Sequence, residues 1–393
     1  MKEDFLQIIW QMQCFSLPAM STEGVHIQVL KPGFRNFSDG PDFERARIKT
    51  GGLEWNGAVE IHVKSSEWLH HGHQNDPAYE TVVLHVVWEE DRPLFRKDGS
   101  RIPTLELRNR VPLSLLLRYR ELIEKKESLP CRHFLPGMEP LISESMLDEA
   151  LAARLQRRAG EILRMHELYG FHWLRTASIL LARALGMKGN EEPMETLAAS
   201  LPESYLYSAA TDNQRIYLLL KTRAGFPLSK EEKEQANLLA LPPHAEPLSL
   251  LWKKSGMRPV SFPAQRLKQW AGYLPQLPHF LGQEAEICLH SGRDDAFMKR
   301  HLAVNFGAPL RVAMGISAGR PDWSQLAMDG LHQLKAEENS HSRFLRSMGL
   351  PVKTAGQSQG GKELFSGWCQ PKRCLDCSIG RNALKAEIPI SGG

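Results

Sequence analysis

The stretch AVEIHVK at residues 58–64 decides the fold class of the first third of this chain. Successive side chains of a β-strand point to opposite faces, so Glu60, His62 and Lys64 share one face. The apolar residues between them then face a hydrophobic core. Three titratable groups in a row on one face are costly to bury without a purpose. The stretch therefore predicts a strand that carries a candidate functional site.

Four further segments have the composition of strands. They are VHIQVLK (25–31), ARIKT (46–50), ETVVLHVVW (80–88) and IPTLEL (102–107). Turn residues separate the candidates, including Gly-Gly at 51–52 and Asn-Gly at 56–57. A helix is predicted at 3–13, ahead of all of them. The order of helix, three-stranded meander and further strands predicts an α/β domain over residues 1–128.

The pattern changes after this first domain. The segment KESLPCRHFLPGMEP at 126–140 has the prolines and the glycine of a domain boundary. Amphipathic runs then predict a mainly α-helical domain over 141–350, followed by a cysteine-containing tail over 351–393. One helix carries an arginine face formed by Arg154, Arg157, Arg158 and Arg164. Such a face either follows a phosphate backbone or is simply solvated, and the helical domain is also where a protein partner would bind.

The composition of the chain indicates which broad class of protein it belongs to. The chain has 393 residues, 42% hydrophobic and 24% charged, with a net charge of +4, which is typical of a globular protein. No apolar run approaches the roughly 20 residues that cross a bilayer. The opening MKEDFLQIIW has acids where a signal peptide would be basic. We therefore expect a cytoplasmic protein that does not enter a membrane.

The acid at the start of the strand before 58–64 completes the candidate site. Asp42 follows a Gly-Pro turn, and the start of one strand of a meander lies near its neighbour, so Asp42 and Glu60 can converge. Two carboxylates would bind Mg²⁺ or Mn²⁺ through oxygen ligands. Lys64 would then activate a water molecule or steady a scissile phosphate. The alternative is that Glu60 and Lys64 form an ordinary surface pair on a half-exposed sheet.

The segment SSEWLHHGHQNDPAYE at 65–80 adds more titratable groups. Its candidates are His71, His73 and Asp76, with at most one of the consecutive His70 and His71 facing the site. Histidine acts as a general acid or base near neutral pH and is a common metal ligand. One of these histidines, together with Asp76, is expected to assist at the metal.

A second candidate metal site lies in the tail. Cys369, Cys374 and Cys377 have a C-x4-C-x2-C spacing, which suits zinc or an iron–sulfur cluster. A fourth ligand is missing locally, and Cys131 is the first choice for it, ahead of Cys14. The alternative is three free thiols on a flexible tail. The basic neighbours of these cysteines would lower the pKa of the thiols, which fits metal ligands and redox-active thiols alike.

The stretches GPDF, VEIHVKSSEW and HGHQNDPAYETVVLHVVW together resemble a family of uncharacterised conserved bacterial proteins, which implies no activity. More remotely, the first domain is similar to the PD-(D/E)XK nuclease superfamily. That resemblance implies a restriction-endonuclease-like fold, with an aspartate at the start of the second strand and Glu-x-Lys on the third. Asp42 and Glu60 match those places, but His62 stands where the lysine is usual and Lys64 lies two residues further on.

The resemblance implies a metal-dependent phosphodiesterase that acts on nucleic acid. Asp42 and Glu60 would bind the cation, and Lys64, or His62 in its place, would activate water. Two other classes remain open. One is a non-catalytic adaptor with a degenerate nuclease-like fold, and the other is a redox protein built on the C-terminal cysteines.

Overall fold

The computed structural model describes residues 2–36, 38–124, 129–207, 212–239, 246–255, 262–284, 286–289 and 295–385. The chain divides into two compact units. The first unit comprises Met1–Met138 together with Gly367–Gly393, and the second unit comprises Glu139–Ser366. Residues 351–366 thus belong to the helical second unit, whereas the three late cysteines belong to the first.

The strands of the described chain form one seven-stranded sheet in the first unit. They are β1 (Ala19–Met20), β2 (His26–Lys31), β3 (Phe34–Arg35), β4 (Phe43–Thr50), β5 (Leu53–Lys64), β6 (Val82–Glu89) and β7 (Thr104–Glu106). The helices of this unit are α1 (Glu3–Met12), α2 (Glu67–His70), α3 (Leu113–Glu124) and α16 (Ser378–Lys385).

The strand order is β1-β2-β4-β5-β6-β7, and β3 pairs with β4 at one side. Strands β2, β4 and β5 form an antiparallel meander, whereas β6 is parallel to β5 and β7 is parallel to β6. A parallel pair needs a crossover connection. Here residues 65–81 supply it, with α2 and two short 3₁₀ turns. The predicted α/β class, with a helix, a meander and further strands, is confirmed.

One predicted turn is wrong. Asn56 and Gly57 lie inside β5, and the chain reverses instead at Gly51 and Gly52, which both have positive φ. Gly57 has a packing role, because a Cβ atom there would lie 2.3 Å from the carbonyl oxygen of Thr81. The glycine therefore lets the end of the crossover approach β5 closely.

Helix α1 covers the sheet next to β5. Its apolar face is fully buried, with Phe5 stacked on Tyr119 at a centroid distance of 3.9 Å. The indole N–H of Trp10 donates a hydrogen bond to the carbonyl of Pro32 (3.0 Å). Because this face is anchored, the first turn of α1 is held over the strands that carry the candidate acids.

The second unit is mainly helical in its described part. Its helices are α4 (Pro140–Leu168), α5 (Trp173–Ala199, kinked at Met187–Asn190), α6 (Glu203–Tyr207), α7 (Asn213–Arg223), α8 (Lys230–Leu238), α9 (Pro263–Tyr273), α10 (Leu277–Gly282), α11 (Ala296–Leu302), α12 (Ala308–Ser317), α13 (Asp322–His332), α14 (Ser340–Ser347) and α15 (Ala355–Leu364). The predicted mainly α-helical region is confirmed. None of the helices that the structure describes combines the length and the apolar composition needed to cross a membrane.

Three arginines of the predicted α4 face are occupied within their own unit, whereas Arg164 is exposed. Arg154 and Arg157 both pair with Glu363 of α15, at 3.0 and 2.9 Å. Arg158 donates to the carbonyl of Val304 (3.0 Å). These guanidinium groups hold helices together, so their arrangement is explained by packing.

Candidate metal centre

Two of the predicted acids do meet. The antiparallel register pairs Phe43 with Val59, which places Asp42 beside Glu60. The backbone N–H of Asp42 donates to Glu60 Oε2 (3.0 Å), and the backbone N–H of Ile61 donates to Asp42 Oδ2 (2.9 Å). Glu60 is 5% exposed. The strand pairing itself therefore fixes both carboxylates.

Helix α1 contributes two residues that the sequence analysis missed. The side-chain amide of Gln7 donates to Asp42 Oδ1 (2.7 Å) and to Glu3 Oε1 (3.4 Å). Glu3 and Gln7 are four residues apart and so lie on the same side of the helix. A glutamate and a glutamine at this spacing beside the apolar face of α1 were the signal in the sequence.

Burial shapes the electrostatics of the acids. It raises the pKa of Glu3 and of Asp42 to about 7 each, and their carboxylate neighbours add to the shift. Burial also raises the pKa of Glu60 to about 8, although the backbone N–H of Asp42 opposes the shift. These three neighbouring carboxyl groups resist ionisation. The positive charge of a bound cation would favour their ionised form.

Three histidines converge beside Glu60, and two of them, His62 and His73, contact it. The ligand nitrogens of His62, His71 and His73 all lie within 4.8 Å of one another. His62 Nε2 is 3.2 Å from His71 Nδ1 and 3.5 Å from Glu60 Oε1. His73 Nε2 is 3.3 Å from the same carboxylate oxygen. Glu60 therefore joins the group of acids to the group of histidines.

Neighbouring rings hold these histidines in place. His62 Nδ1 shares a hydrogen bond with Nε2 of the fully buried His85 (2.8 Å). The ring of His73 stacks on Tyr79 at 3.7 Å, and Trp68 packs edge-on against His73. Burial lowers the pKa of His62 to about 2 and that of His85 to about 3. Both are therefore neutral, the form that binds metals.

The arrangement fits a metal ion. His73 Nε2 is buried and makes no hydrogen bond among the described residues, although it faces Glu60 Oε1. Metal bonds to nitrogen and oxygen of about 2.0–2.2 Å would separate neighbouring ligand atoms by about 3–3.5 Å. The distances around Glu60 and the histidines fall in this range. His62, His71 and His73 are the residues that would hold the ion, with Glu60 beside His62 and His73.

Lys64 and Asp76 are further from Glu60, although Asp76 lines the same groove as His73 and its charge acts on that ring. Lys64 is exposed at the end of β5, and its described hydrogen bond runs from its backbone N–H to Glu67 Oε2 (3.1 Å). Asp76 caps the turn that follows it by accepting from the N–H of Ala78 (2.9 Å). Among the described contacts, none joins either side chain to Glu60. Both members of the consecutive pair, His70 and His71, are exposed, but only His71 lies among the histidines that converge at the site.

Two grooves flank the site. One of about 690 Å³ is lined by Lys31, Pro41 and Arg45, directly beside Asp42. The other, of about 730 Å³, is lined by His73 and by the aromatic rings of Tyr79 and Phe95. Acidic side chains also line both grooves, with Asp39 and Glu44 in the first and Asp76 and Glu80 in the second, so cationic, acidic and aromatic groups are mixed next to the site.

The fold and site define an α/β protein with a carboxylate–histidine centre at the crossover of its sheet. The chain belongs to the family DUF2851, described as a protein of unknown function, whose model matches residues 3–288. The predicted membership of an uncharacterised conserved family is thereby confirmed. The match covers the whole candidate centre and ends before the three late cysteines. A search of curated proteins and a search of solved structures each found no match.

Proposed function

We propose that this protein is a metal-dependent phosphodiesterase that acts on nucleic acid. The observation that carries the proposal is the position of Glu60, whose Oε2 faces Asp42 while its Oε1 faces His62 and His73. Acids and histidines thus converge on one buried carboxylate. All six cysteines are free, which supports a reducing compartment, and we place the protein in the cytoplasm.

Each residue of the candidate metal centre has a separate role. Glu60 and the histidines hold the cation, and Asp42 supplies a second carboxylate beside it. A divalent ion in such a site supplies Lewis acidity and a water molecule that loses its proton near neutral pH. His62 stands where the PD-(D/E)XK nuclease superfamily has its lysine, and here it is a ligand of the cation. Lys64, at the rim of the strand, is left to contact the scissile phosphate.

The mixture of ligands favours Mn²⁺ over Mg²⁺. Mg²⁺ prefers oxygen ligands and retains its waters, whereas Mn²⁺ accepts imidazole nitrogen more readily, and Zn²⁺, Fe²⁺ and Ni²⁺ suit that ligand better still. With His62, His71 and His73 in the site, nitrogen outnumbers the oxygen of Glu60.

The groove beside Asp42 supports a nucleic-acid substrate. Arg45 lines it with φ of 55°, a left-handed conformation that an arginine rarely adopts. The strain occurs where β4 has an irregular register between Phe43 and Ala46. Strained residues persist mainly where function needs them. We infer that the bulge aims Arg45 at a phosphate group of the substrate.

The first experiment measures hydrolysis of mixed single- and double-stranded nucleic acids with Mn²⁺ and with Mg²⁺. We expect cleavage with Mn²⁺ that is lost in Asp42→Asn and in Glu60→Gln. Glu54→Gln is the matched control, because Glu54 lies at the other end of β5 and pairs with Arg47 on the surface. Cleavage that survives both site variants would refute the proposal.

Calorimetric titration of the native chain with Mn²⁺ separates the enzyme from an adaptor. The enzyme binds Mn²⁺, and His73→Ala weakens binding while His70→Ala, at the exposed neighbour, does not. A folded chain that neither binds Mn²⁺ nor cleaves would contradict the proposal and favour the adaptor.

A further inference from the structure

Four cysteines from distant parts of the chain come together in the first unit. They are Cys131, Cys369, Cys374 and Cys377, and each is 9% exposed or less. Cys131 directly precedes a short 3₁₀ helix, and the other three precede or lie beside α16. Helix α16 packs on that 3₁₀ helix and on α3. The fold therefore supplies the fourth cysteine that the spacing of the other three leaves missing.

The four thiols are mutual neighbours. The pKa of Cys369 is raised first by burial and then by the charges that Cys131, Cys374 and Cys377 would carry. Burial raises the pKa of Cys131 to about 12, and Cys374 and Cys377 add to it. Cys374 in turn raises the pKa of Cys377. Every pair among the four is close enough to interact, yet all four thiols are free.

The backbone around the sulfurs is arranged for thiolates. Burial raises the pKa of the Cys377 thiol, and the backbone N–H groups of Ile379 and Gly380, in the first turn of α16, oppose that rise. Gly380 is required for the close approach of this turn to the preceding backbone, since a Cβ atom there would lie 2.0 Å from the carbonyl oxygen of Cys374. Lys372 and Arg381 add positive charge near the same sulfurs. Donors and cations of this kind stabilise metal-bound thiolates.

The spacing of the sulfurs favours a cluster over a single ion. Four thiolates around one zinc ion, with bonds of 2.3 Å, lie about 3.8 Å apart. Within the described residues, the histidine group has its ligand atoms within 4.8 Å of one another, and no three of these sulfurs do. Sulfurs that each bind a different iron of a cluster are spread more widely.

We propose that Cys131, Cys369, Cys374 and Cys377 hold an iron–sulfur cluster. The cluster fastens the segment that begins at Gly367 to the rest of the first unit. The segment carries Asp376, which lies 3.4 Å from Arg35. The cluster thereby holds in place a residue that supports α1. This centre is separate from the carboxylate–histidine site and does not depend on the proposed phosphodiesterase activity.

The test is the composition of the full-length native chain, purified without oxygen. We expect iron and acid-labile sulfide in equal amounts and a broad visible absorption that dithionite bleaches. This measurement needs no variant, so a folding failure cannot mimic the result. Colourless protein that contains zinc would overturn the cluster, and protein with neither metal would overturn any metal centre at the cysteines.

Variants then locate the cluster. Cys131→Ser and Gly380→Ala should lose the visible absorption together with the iron and sulfide. Cys288→Ser is the matched control for the first, since Cys288 is equally buried in the second unit. Gly367→Ala is the control for the second, because a Cβ atom there meets open space. Full iron content in Cys131→Ser would exclude Cys131 as a ligand.

Discussion

Arg35 Nη1 lies 3.4 Å from Asp376 Oδ1, although 341 positions separate the two residues in the chain. Arg35 Nη2 also donates to Gln7 Oε1 (2.6 Å), and the amide of Gln7 donates to Asp42 Oδ1 (2.7 Å). A continuous path of polar contacts therefore runs from the late cysteine segment to an acid of the candidate metal centre. Gln7 is its central member, because it both accepts and donates.

Replacing Gln7 tests this path. We expect Gln7→Leu to lower the free energy of unfolding by about 1–3 kcal/mol, because it leaves the partly buried Asp42 Oδ1 without its donor. Urea denaturation measures the effect. Gln11→Leu is the control, since Gln11 is exposed on the same helix and should change stability by less than about 0.5 kcal/mol. Equal effects of the two substitutions would show that the contact contributes nothing.

Replacing His85 tests how the metal ligands are oriented. His85→Phe keeps a ring against Trp68, where the centroids are 5.4 Å apart, but removes the hydrogen bond to His62. Loss of such an outer partner typically weakens metal affinity about 10–100-fold. Calorimetry with Mn²⁺ measures this change, with His70→Phe as the control. Unchanged affinity in a folded His85→Phe chain would mean that His85 is only a packing residue.

Replacing Arg45 tests whether its strain serves binding. A left-handed conformation costs a residue with a Cβ atom about 1–2 kcal/mol, and glycine loses about 0.5–1 kcal/mol through its greater chain freedom. We therefore expect Arg45→Gly to raise the free energy of unfolding by up to about 1 kcal/mol while weakening binding of nucleic acid. Denaturation and fluorescence anisotropy measure the two effects. Arg47→Gly, in the same strand, should destabilise the protein, and tighter binding by Arg45→Gly would contradict the assignment.

The pH dependence of stability tests a buried histidine of the second unit. His166 stacks on Trp173 at 3.8 Å, and burial lowers its pKa below the ordinary 6.5. Below about pH 6.5 the unfolded chain takes up a proton that the folded chain resists, so stability is full above that pH and falls as the pH decreases. Denaturation at about pH 7 and pH 5 should show a smaller loss in His166→Gln than in the native chain. An identical loss would mean that His166 is protonated in the folded state.

The sequence predicted those parts of the centre that depend on strand geometry. Alternation along β5 placed Glu60 and His62 on one face, and the neighbouring strand start brought Asp42 to them. The sequence did not predict that Glu3 and His85 belong to the centre. Glu3 reaches the site through the packing of a helix on the sheet, which local patterns do not encode. His85 lies in an almost wholly apolar strand, where only the pairing of β6 with β5 gives it a partner.

Two further differences have local causes. Asn56-Gly57 has the composition of a turn, but tertiary packing of Gly57 against Thr81 overrides that preference. Lys64 was expected to activate water or to steady the scissile phosphate, because it shares a face with Glu60. The strand ends there, however, and the residue is exposed. Alternation gives the direction of a side chain but does not say how far along a strand a site extends.

The first unit is built from chain segments on both sides of the second unit, and this has a consequence for synthesis. Cys131 leaves the ribosome long before Cys369, because the whole helical segment is translated between them. At about 5–20 residues per second this interval lasts tens of seconds. During that time the nascent first unit lacks Asp376 and helix α16. The first unit therefore completes its fold late. A chain on a ribosome that has stalled within the helical segment would have a first unit without these two parts.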